Sequence, residues 1–303
     1  MKQENKMASE KSTNDRAKIY SAESKFEFML RRPEHAGSVA TNLFFTPKRS
    51  LPSRKEQEVL SKAKEISFGQ GPLHLKAWYW KNSGPLVYLV HGWNSHSGSL
   101  TRFVNPLLES GFSVASYDMP GHGYSEGKYC NAIRSADALY KLSEILGNPY
   151  GIITHSFGGA VATIAQEMGV RVERAVYIAP PATIEELRSF FCTQLGLSAK
   201  ARDDMRNKIE KSIKRNMDTL DIAEIGKSLH SKLLVVHDLD DLEIPWEFGN
   251  RIAMNWEGAK MISTQGLGHL FILRDSAVIK EAVDFLSVQT GEGIGSYSEL
   301  LAN

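Results

Sequence analysis

Cysteine is scarce in this chain: Cys130 and Cys192 are the only two among 303 residues. Two cysteines make no disulfide framework, and no C-x-x-C pair offers metal-ligand spacing. They read as reduced thiols in a cytoplasmic protein. Long hydrophobic runs are missing too. Nothing approaches the roughly 18–20 apolar residues that span a bilayer, so stable membrane insertion is not expected. The opening stretch M-K-Q-E-N-K-M-A-S-E-K-S-T-N-D-R-A-K lacks the apolar core of a secretory signal. Excess charge is absent as well. Lys and Arg number 36 against 35 Asp and Glu, a formal net charge of +1. Such a balance gives no electrostatic reason to expect nucleic acid or an anionic surface as partner. No internal repeat or low-complexity segment stands out.

What remains is ordinary globular composition, 42% hydrophobic and 23% charged. The length suits one large domain or two small ones. Residues 1–60 read as an N-terminal extension, disordered to about residue 22 because they offer little to bury. S-K-F-E-F-M-L-R-R-P is a short amphipathic piece ending at Pro33. Residues 34–55 read as loop, with Leu43, Phe44 and Phe45 as an anchor onto the main body. K-E-I-S-F, the turn G-Q-G-P and L-H-L-K-A-W-Y-W then alternate as a hairpin does. P-L-V-Y-L-V has no polar face, which suits a strand buried on both sides of a parallel sheet. F-S-V-A-S-Y, Y-G-I-I-T, R-A-V-Y-I-A, K-L-L-V-V-H and K-M-I-S-T are further strand candidates.

Helical patterns over about 98–110, 131–146, 157–169 and 276–288 separate these runs. The alternation predicts an α/β fold with a mostly parallel central sheet and helices on both faces. The rhythm breaks once. Residues 183–230 hold no strand signal and read as an inserted helical cap, leaving 61–182 and 231–290 as the core and 291–303 as a loose tail. Within the cap, Met205, Ile209, Ile213 and Met217 recur every fourth residue as a narrow apolar stripe. The seven basic residues from Lys200 to Arg215 read as its wet face, a weak attraction for anionic substrate being the sharper reading.

Residues 152–160, I-I-T-H-S-F-G-G-A, run from a strand into a turn around Ser156. A serine hydroxyl needs a base within reach and an acid to orient that base. A sharp strand-to-helix turn exposes the serine and calls for small residues two before and two after it. Gly158 meets that requirement; Thr154 meets it only in part. Upstream, L-V-Y-L-V-H-G-W-N ends a strand with His91-Gly92, where the N–H of Trp93 and that of Phe157 could aim at one oxyanion. Downstream, K-L-L-V-V-H-D-L-D-D-L-E-I-P supplies acids past a strand end, and S-T-Q-G-L-G-H-L-F-I-L supplies His269.

On H-G-W, D-M-P-G-H-G-Y-S, H-S-F-G-G, H-D-L-D-D-L-E-I-P and G-L-G-H, in this order, the chain resembles the α/β-hydrolase superfamily. The likeness covers about 65–288 and is to its lipase/esterase-like branch with an inserted helical cap. It implies an α/β-hydrolase fold with the small cap inserted late in the sheet. It implies Ser156 as nucleophile and His269 as base. Matched from His237 to Pro245, it selects Asp241 as the acid, with Asp240 and Asp238 as alternatives; Asp238 stands where the family usually has glycine. Trp93 and Phe157 supply the oxyanion N–H groups. Trp93, Phe190 and Phe191 are substrate-pocket candidates, and Leu195 lies near them.

His155 reads as packing, His91 as a hydrogen-bonding support of the oxyanion loop, His122 and Asp118 as loop residues, His237 as a strand-end residue, and Cys192 as an apolar cap residue. The expected partner is a small-molecule acyl substrate. No cofactor or metal is called for, and a homodimer is not indicated. Amide or C–C bond hydrolysis by the same triad, or ligand binding with little turnover, remain open at this point.

Overall fold

The computed structural model describes residues 33–287; the expectations for residues 1–32 and for the tail lie outside them. Eight strands form one sheet in the order β1-β2-β4-β3-β5-β6-β7-β8. β1 (Lys64–Gln70) and β2 (Leu73–Trp80) are an antiparallel hairpin closed at Gly71, whose φ of 57° suits a two-residue loop. β2 pairs antiparallel with β4, and every other pairing is parallel. β3 (Leu86–Val90), β4 (Ser113–Tyr117), β5 (Gly151–His155), β6 (Arg174–Ile178) and β7 (Lys232–Asp238) are almost wholly buried. β8 (Lys260–Thr264) is half-buried, as an outer strand should be. The polarity of each run thus anticipates its place in the sheet: continuous apolar runs lie inside and alternating ones outside.

The chain divides into two compact units. The larger, described over residues 46–187 and 216–287, holds the sheet. A short helix α2 (Arg54–Leu60) precedes β1. A 3-10 turn, Ser97–Phe103, leads into α3 (Val104–Glu109) between β3 and β4. α4 (Ala132–Leu146) joins β4 to β5, and α5 (Phe157–Glu167) follows β5. α3 packs with the C-terminal helix Ser276–Ser287, while α4 packs on α5. On the first of these faces Trp80, Leu89, Phe103, Leu107, Ile153, Val236 and Leu286 share one buried cluster.

The smaller unit, described over residues 33–45 and 188–215, corrects the sequence reading. Residues 46–53 are loop as expected, but 34–44 are not: α1 (Pro33–Phe44) is a helix that packs on α7 (Ala199–Ile213), α6 being Ile184–Gln194. Ala36, Ala40 and Thr41 are buried, and a Cβ on Gly37 would lie 2.9 Å from the carbonyl oxygen of Ala201. The helical period is carried by small residues, so no apolar stripe is visible in the sequence. Phe44 packs its ring on Phe191, 5.4 Å between centroids, rather than acting as a loop anchor. Cys192 is buried beside Met205.

Two other helices, α2 and the one that joins β7 to β8, escape the sequence reading, while the short helix before β7 falls within the stretch read as helical. α2 is closed by a capping box, in which Ser53 N–H donates to Glu56 Oε2 at 2.7 Å and Ser53 Oγ accepts from Glu56 N–H. α8 (Ile222–Gly226) ends the segment between β6 and β7. α9 (Trp246–Asn255) joins β7 to β8, starting directly after Pro245. No described helix is long and apolar enough to cross a membrane.

Candidate active site

The strand order reverses between β3 and β5: the chain leaves β3 for β4 on one side and returns to β5 on the other. Open α/β sheets place their sites at the carboxyl ends of the strands flanking such a reversal. Here those ends carry His91-Gly92-Trp93 and His155-Ser156-Phe157.

Ser156 lies between β5 and α5 with φ 51° and ψ −124°. For a non-glycine residue that is a strained conformation, of the kind held by its surroundings at functional sites. The surroundings are specific. The Ser156 N–H donates to Ile178 O and its carbonyl accepts from Gly159 N–H, both at 2.9 Å. A methyl group on Gly158 would lie 2.7 Å from His91 O and closer still to Val90 O. Glycine at 158 therefore lets α5 begin against the end of β3. Gly92 is equally confined, since a Cβ there would be 3.1 Å from Ser156 Cβ.

Thr154 departs from the small-residue pattern, and its side chain faces the helix that packs back on the strand. Its Oγ1 lies 3.5 Å from where a Cβ of Gly159 would stand. The glycine following Gly158 makes the room. The accommodation is imperfect: Thr154 Oγ1 is buried with no hydrogen-bond partner.

The N–H groups of Trp93 and Phe157 find no acceptor among the described residues. Their rings meet edge to face at 5.2 Å. Behind them, Met119 N–H donates to His91 Nε2 at 3.1 Å, so the His91 proton sits on Nδ1 and is donated to Gly92 O at 2.7 Å. Burial, then the neighbouring His122, keep His91 well below the ordinary histidine range. His91 is thus a neutral brace of the loop. Asp118 ties the same loop to its neighbour, its Oδ1 accepting from Ser97 N–H and its Oδ2 from Tyr124 N–H, each at 2.7 Å. Burial pushes Asp118 up to about 6 against those two hydrogen bonds.

Asp241 and His269 are brought together from opposite ends of the β7–β8 segment. His269 Nδ1 is 2.7 Å from Asp241 Oδ2, and both residues are buried. Asp241 Oδ1 accepts from the N–H groups of Glu243 and Ile244 at 2.9 Å. His237 Nε2 donates to Ile244 O at 2.9 Å and stands 3.4 Å from Asp241 Oδ2. Burial alone would raise the Asp241 carboxyl; the hydrogen bonds from His237, His269 and Ile244 N–H outweigh it and hold it below the usual carboxylate range. An ionised Asp241 fixes the His269 proton on Nδ1 and leaves Nε2 as the basic nitrogen. Ser156 Oγ has no hydrogen-bond partner among the described residues, and such contacts commonly tighten only with substrate bound.

Asp238 has a different task from Asp241. It is fully buried, and its carboxylate accepts from Asp240 and Gly268 N–H at 3.0 Å, Leu267 N–H at 3.1 Å and Thr264 Oγ1 at 2.6 Å. Burial opposes its ionisation, yet these four donors keep it below the ordinary value. Two of them are the residues just before His269. The aspartate that replaces the family's glycine therefore pins the His269 loop to the end of β7. Asp240 Oδ2 accepts from Gly266 N–H and adds to the same clasp.

His155 does more than pack. Its Nε2 donates to His269 O at 2.9 Å and its ring lies 4.7 Å from that of His269. Burial, then the adjacent His269, lower His155 to about 3. Glu243, which the sequence does not mark, stands with Oε2 4.0 Å from His269 Nε2. Phe190 and Phe191 belong to the smaller unit; Phe190 is exposed and Phe191 packs on Phe44. Trp93 is half-buried. Among the described residues no group of three or more His, Cys, Asp or Glu side chains could hold a metal ion.

Residues 81–227 match the family described as serine aminopeptidase, S33. The human protein ABHD12B is 27% identical over 227 residues, 69% of this chain and 62% of its own, so the chain spans under two thirds of that relative. The pimeloyl-[acyl-carrier protein] methyl ester esterase of Methylococcus capsulatus is 50% identical over a short stretch of 42 residues, 14% of this chain and 16% of that protein. The esterase Pf2001 of Pyrococcus furiosus superposes with a TM-score of 0.62 at 18% identity, covering 80% of this chain and 98% of that one. With a sheet reversed at β3, a serine in a strained turn after β5 and these similarities, the chain has the α/β-hydrolase fold and is similar over residues 81–227 to the serine aminopeptidase, S33, family.

Proposed function

We propose that the protein is a serine hydrolase that cleaves a carboxylic ester or related acyl compound through an acyl-enzyme on Ser156. The observation that carries this reading is the Asp241–His269 hydrogen bond of 2.7 Å on the loops that follow β7 and β8. His269 Nε2 takes the Ser156 proton as Oγ attacks the acyl carbon. Asp241 holds the tautomer and stabilises the imidazolium. The N–H groups of Trp93 and Phe157 receive the oxyanion. The alcohol departs with the proton from His269. Water then attacks the acyl-enzyme, giving its proton to His269, and Ser156 recovers a proton as the acid leaves.

In the same proposal Trp93 lines the acyl pocket, and the enzyme works in the cytoplasm. The test is hydrolysis of p-nitrophenyl esters from acetyl to dodecanoyl, with Ser156→Ala beside wild type. Activity is expected to fall by several orders of magnitude, since triad members act as a unit. Full activity in Ser156→Ala overturns the mechanism.

A second reading, an amide substrate at a peptide amino terminus, is favoured by the match to a family described as serine aminopeptidase. Aminoacyl p-nitroanilides tested alongside the esters separate the two. Failure of a fluorophosphonate to label Ser156 in folded protein points instead to a ligand-binding protein with little turnover.

A further inference from the structure

Pro47 to Glu56, ahead of the sheet in sequence, lie against the loops that carry the proposed oxyanion donors. Three residues stand out. Arg49 directs its guanidinium at a loop of backbone carbonyls. Nη1 donates to Gly123 O, to Ser125 O at 2.7 Å and to His122 O at 3.4 Å, and Nη2 donates to Gly127 O at 3.0 Å. Lys48 N–H donates to Asn94 Oδ1 at 2.7 Å, and Ser50 Oγ donates to Asn94 O at 2.8 Å. Asn94 follows Trp93 directly and has φ 57°, a left-handed conformation that neighbours must hold in place. Its third bond, from its N–H to His122 Nε2 at 3.2 Å, returns to the carbonyl loop that Arg49 clamps.

The fit extends along the segment. A Cβ on Gly121 would be 3.1 Å from Pro47 Cγ, and one on Gly98 would be 3.0 Å from Pro52 Cβ. The loop is thus held on both sides of Trp93. The His122 ring closes the circuit, edge to face with Trp93 at 5.1 Å.

We infer that Lys48–Ser50 is a strap that positions the oxyanion loop, and that Arg49 is a positioning residue for the hydrolysis. This rests on the reading of Trp93 and Phe157 as oxyanion donors. The Trp93 N–H is aimed by the backbone from Gly92 to Asn94, and every hydrogen bond of Asn94 ends on the strap or on the loop that Arg49 clamps. A donor displaced by a fraction of an ångström loses most where charge develops, so the loss falls on the transition state rather than on substrate binding.

The experiment compares wild type, Arg49→Ala, Ser50→Ala and the control Arg54→Ala, whose side chain is 94% exposed. Active sites are titrated with a fluorophosphonate, so that kcat is read per labelled serine. Arg49→Ala is expected to lower kcat per site by about 10- to 100-fold with KM within about 3-fold. The inhibition constant of a trifluoromethyl ketone carrying the same acyl chain should rise in step. Ser50→Ala, which removes one bond and remains informative if Arg49→Ala does not fold, should lose about 3- to 10-fold. Arg54→Ala should match wild type.

A kcat per site within twofold of wild type, with the ketone unaffected, overturns the strap even if the melting temperature falls. If the wild type hydrolyses nothing and takes no label, the functional reading has failed, and amide hydrogen exchange then judges the strap. Faster exchange over residues 91–97 in Arg49→Ala supports it, and unchanged exchange overturns it.

Discussion

Gly158→Ala adds one methyl group at the point where α5 meets the end of β3. That methyl would stand 2.7 Å from His91 O and nearer still to Val90 O. Carbon–oxygen contacts relax at about 3.3 Å or beyond, so relieving the His91 contact alone needs about 0.6 Å, and the nearer Val90 O requires strand end and helix start to part by more than that. Both obstacles are backbone, and both residues are buried, so no side chain can swing aside. Overpacking of this kind costs about 1–3 kcal/mol. The displaced carbonyls lead directly into Gly92 and Trp93, and a misplacement near 1 Å costs about 100-fold in rate. A fall in kcat of roughly 10-fold or more is therefore expected, scaled from that figure. Urea unfolding and ester kinetics measure the two effects, with Gly69→Ala as the contrast. Gly69 lies in β1 with nothing within 4 Å of an added Cβ. That substitution should be neutral or stabilise by up to about 1 kcal/mol. If Gly158→Ala unfolds within about 0.5 kcal/mol of wild type and keeps its rate, the reasoning about this contact is refuted.

Asp241→Asn should leave the fold intact but lower kcat by about 10⁴-fold, the effect of losing the correct imidazole tautomer; a loss below tenfold would remove Asp241 from the role proposed. Asp238→Ala leaves the N–H groups of Leu267, Gly268 and Asp240 without their charged acceptor, and should destabilise by about 3 kcal/mol or more, read as a shift in the urea midpoint. Both aspartates are held below their ordinary value, so the stability they contribute is present above the unfolded carboxylate range and is lost as pH falls through their folded values. The buried histidines act at higher pH. His122 is lowered by burial to about 4 and His155 to about 3, with His91 and His96 also lowered. The unfolded chain protonates first, so each of them weakens the fold as pH drops from about 6.5. Asp118, raised to about 6, opposes them between that value and the unfolded carboxylate range. Four imidazoles against one carboxylate predict net loss of stability from pH 6.5 to 4, and a shallower slope in His122→Gln. A flat stability profile across that window would contradict the burial argument.

The strands were readable because their apolar runs are continuous inside the sheet and alternating at its antiparallel end. The segments bearing Ser156, Asp241 and His269 could be picked out because each follows such a run. α1 could not, since Ala36, Gly37 and Ala40 make its contacts by being small. Nor could the task of Asp238, whose partners Thr264, Leu267 and Gly268 lie 26 to 30 residues away. Arg49 is the extreme case: its four acceptors are main-chain carbonyls, which leave no trace in side-chain identity. Thr154 was noticed, but its tolerance depends on Gly159, a residue on the next element.

The strand order has a consequence for how the protein comes into being. Beyond the reversal at β3, each new strand docks outside the last: β5, then β6, β7 and β8. Chains fold from the amino end as they are synthesised. A nascent chain that has completed β6 can already hold Ser156 in its turn, braced by Ile178 O. It still lacks the aspartate after β7 and the histidine after β8. On the proposed mechanism, reactivity therefore waits for the far edge of the sheet, and an unfinished or truncated chain carries a shaped but unarmed serine.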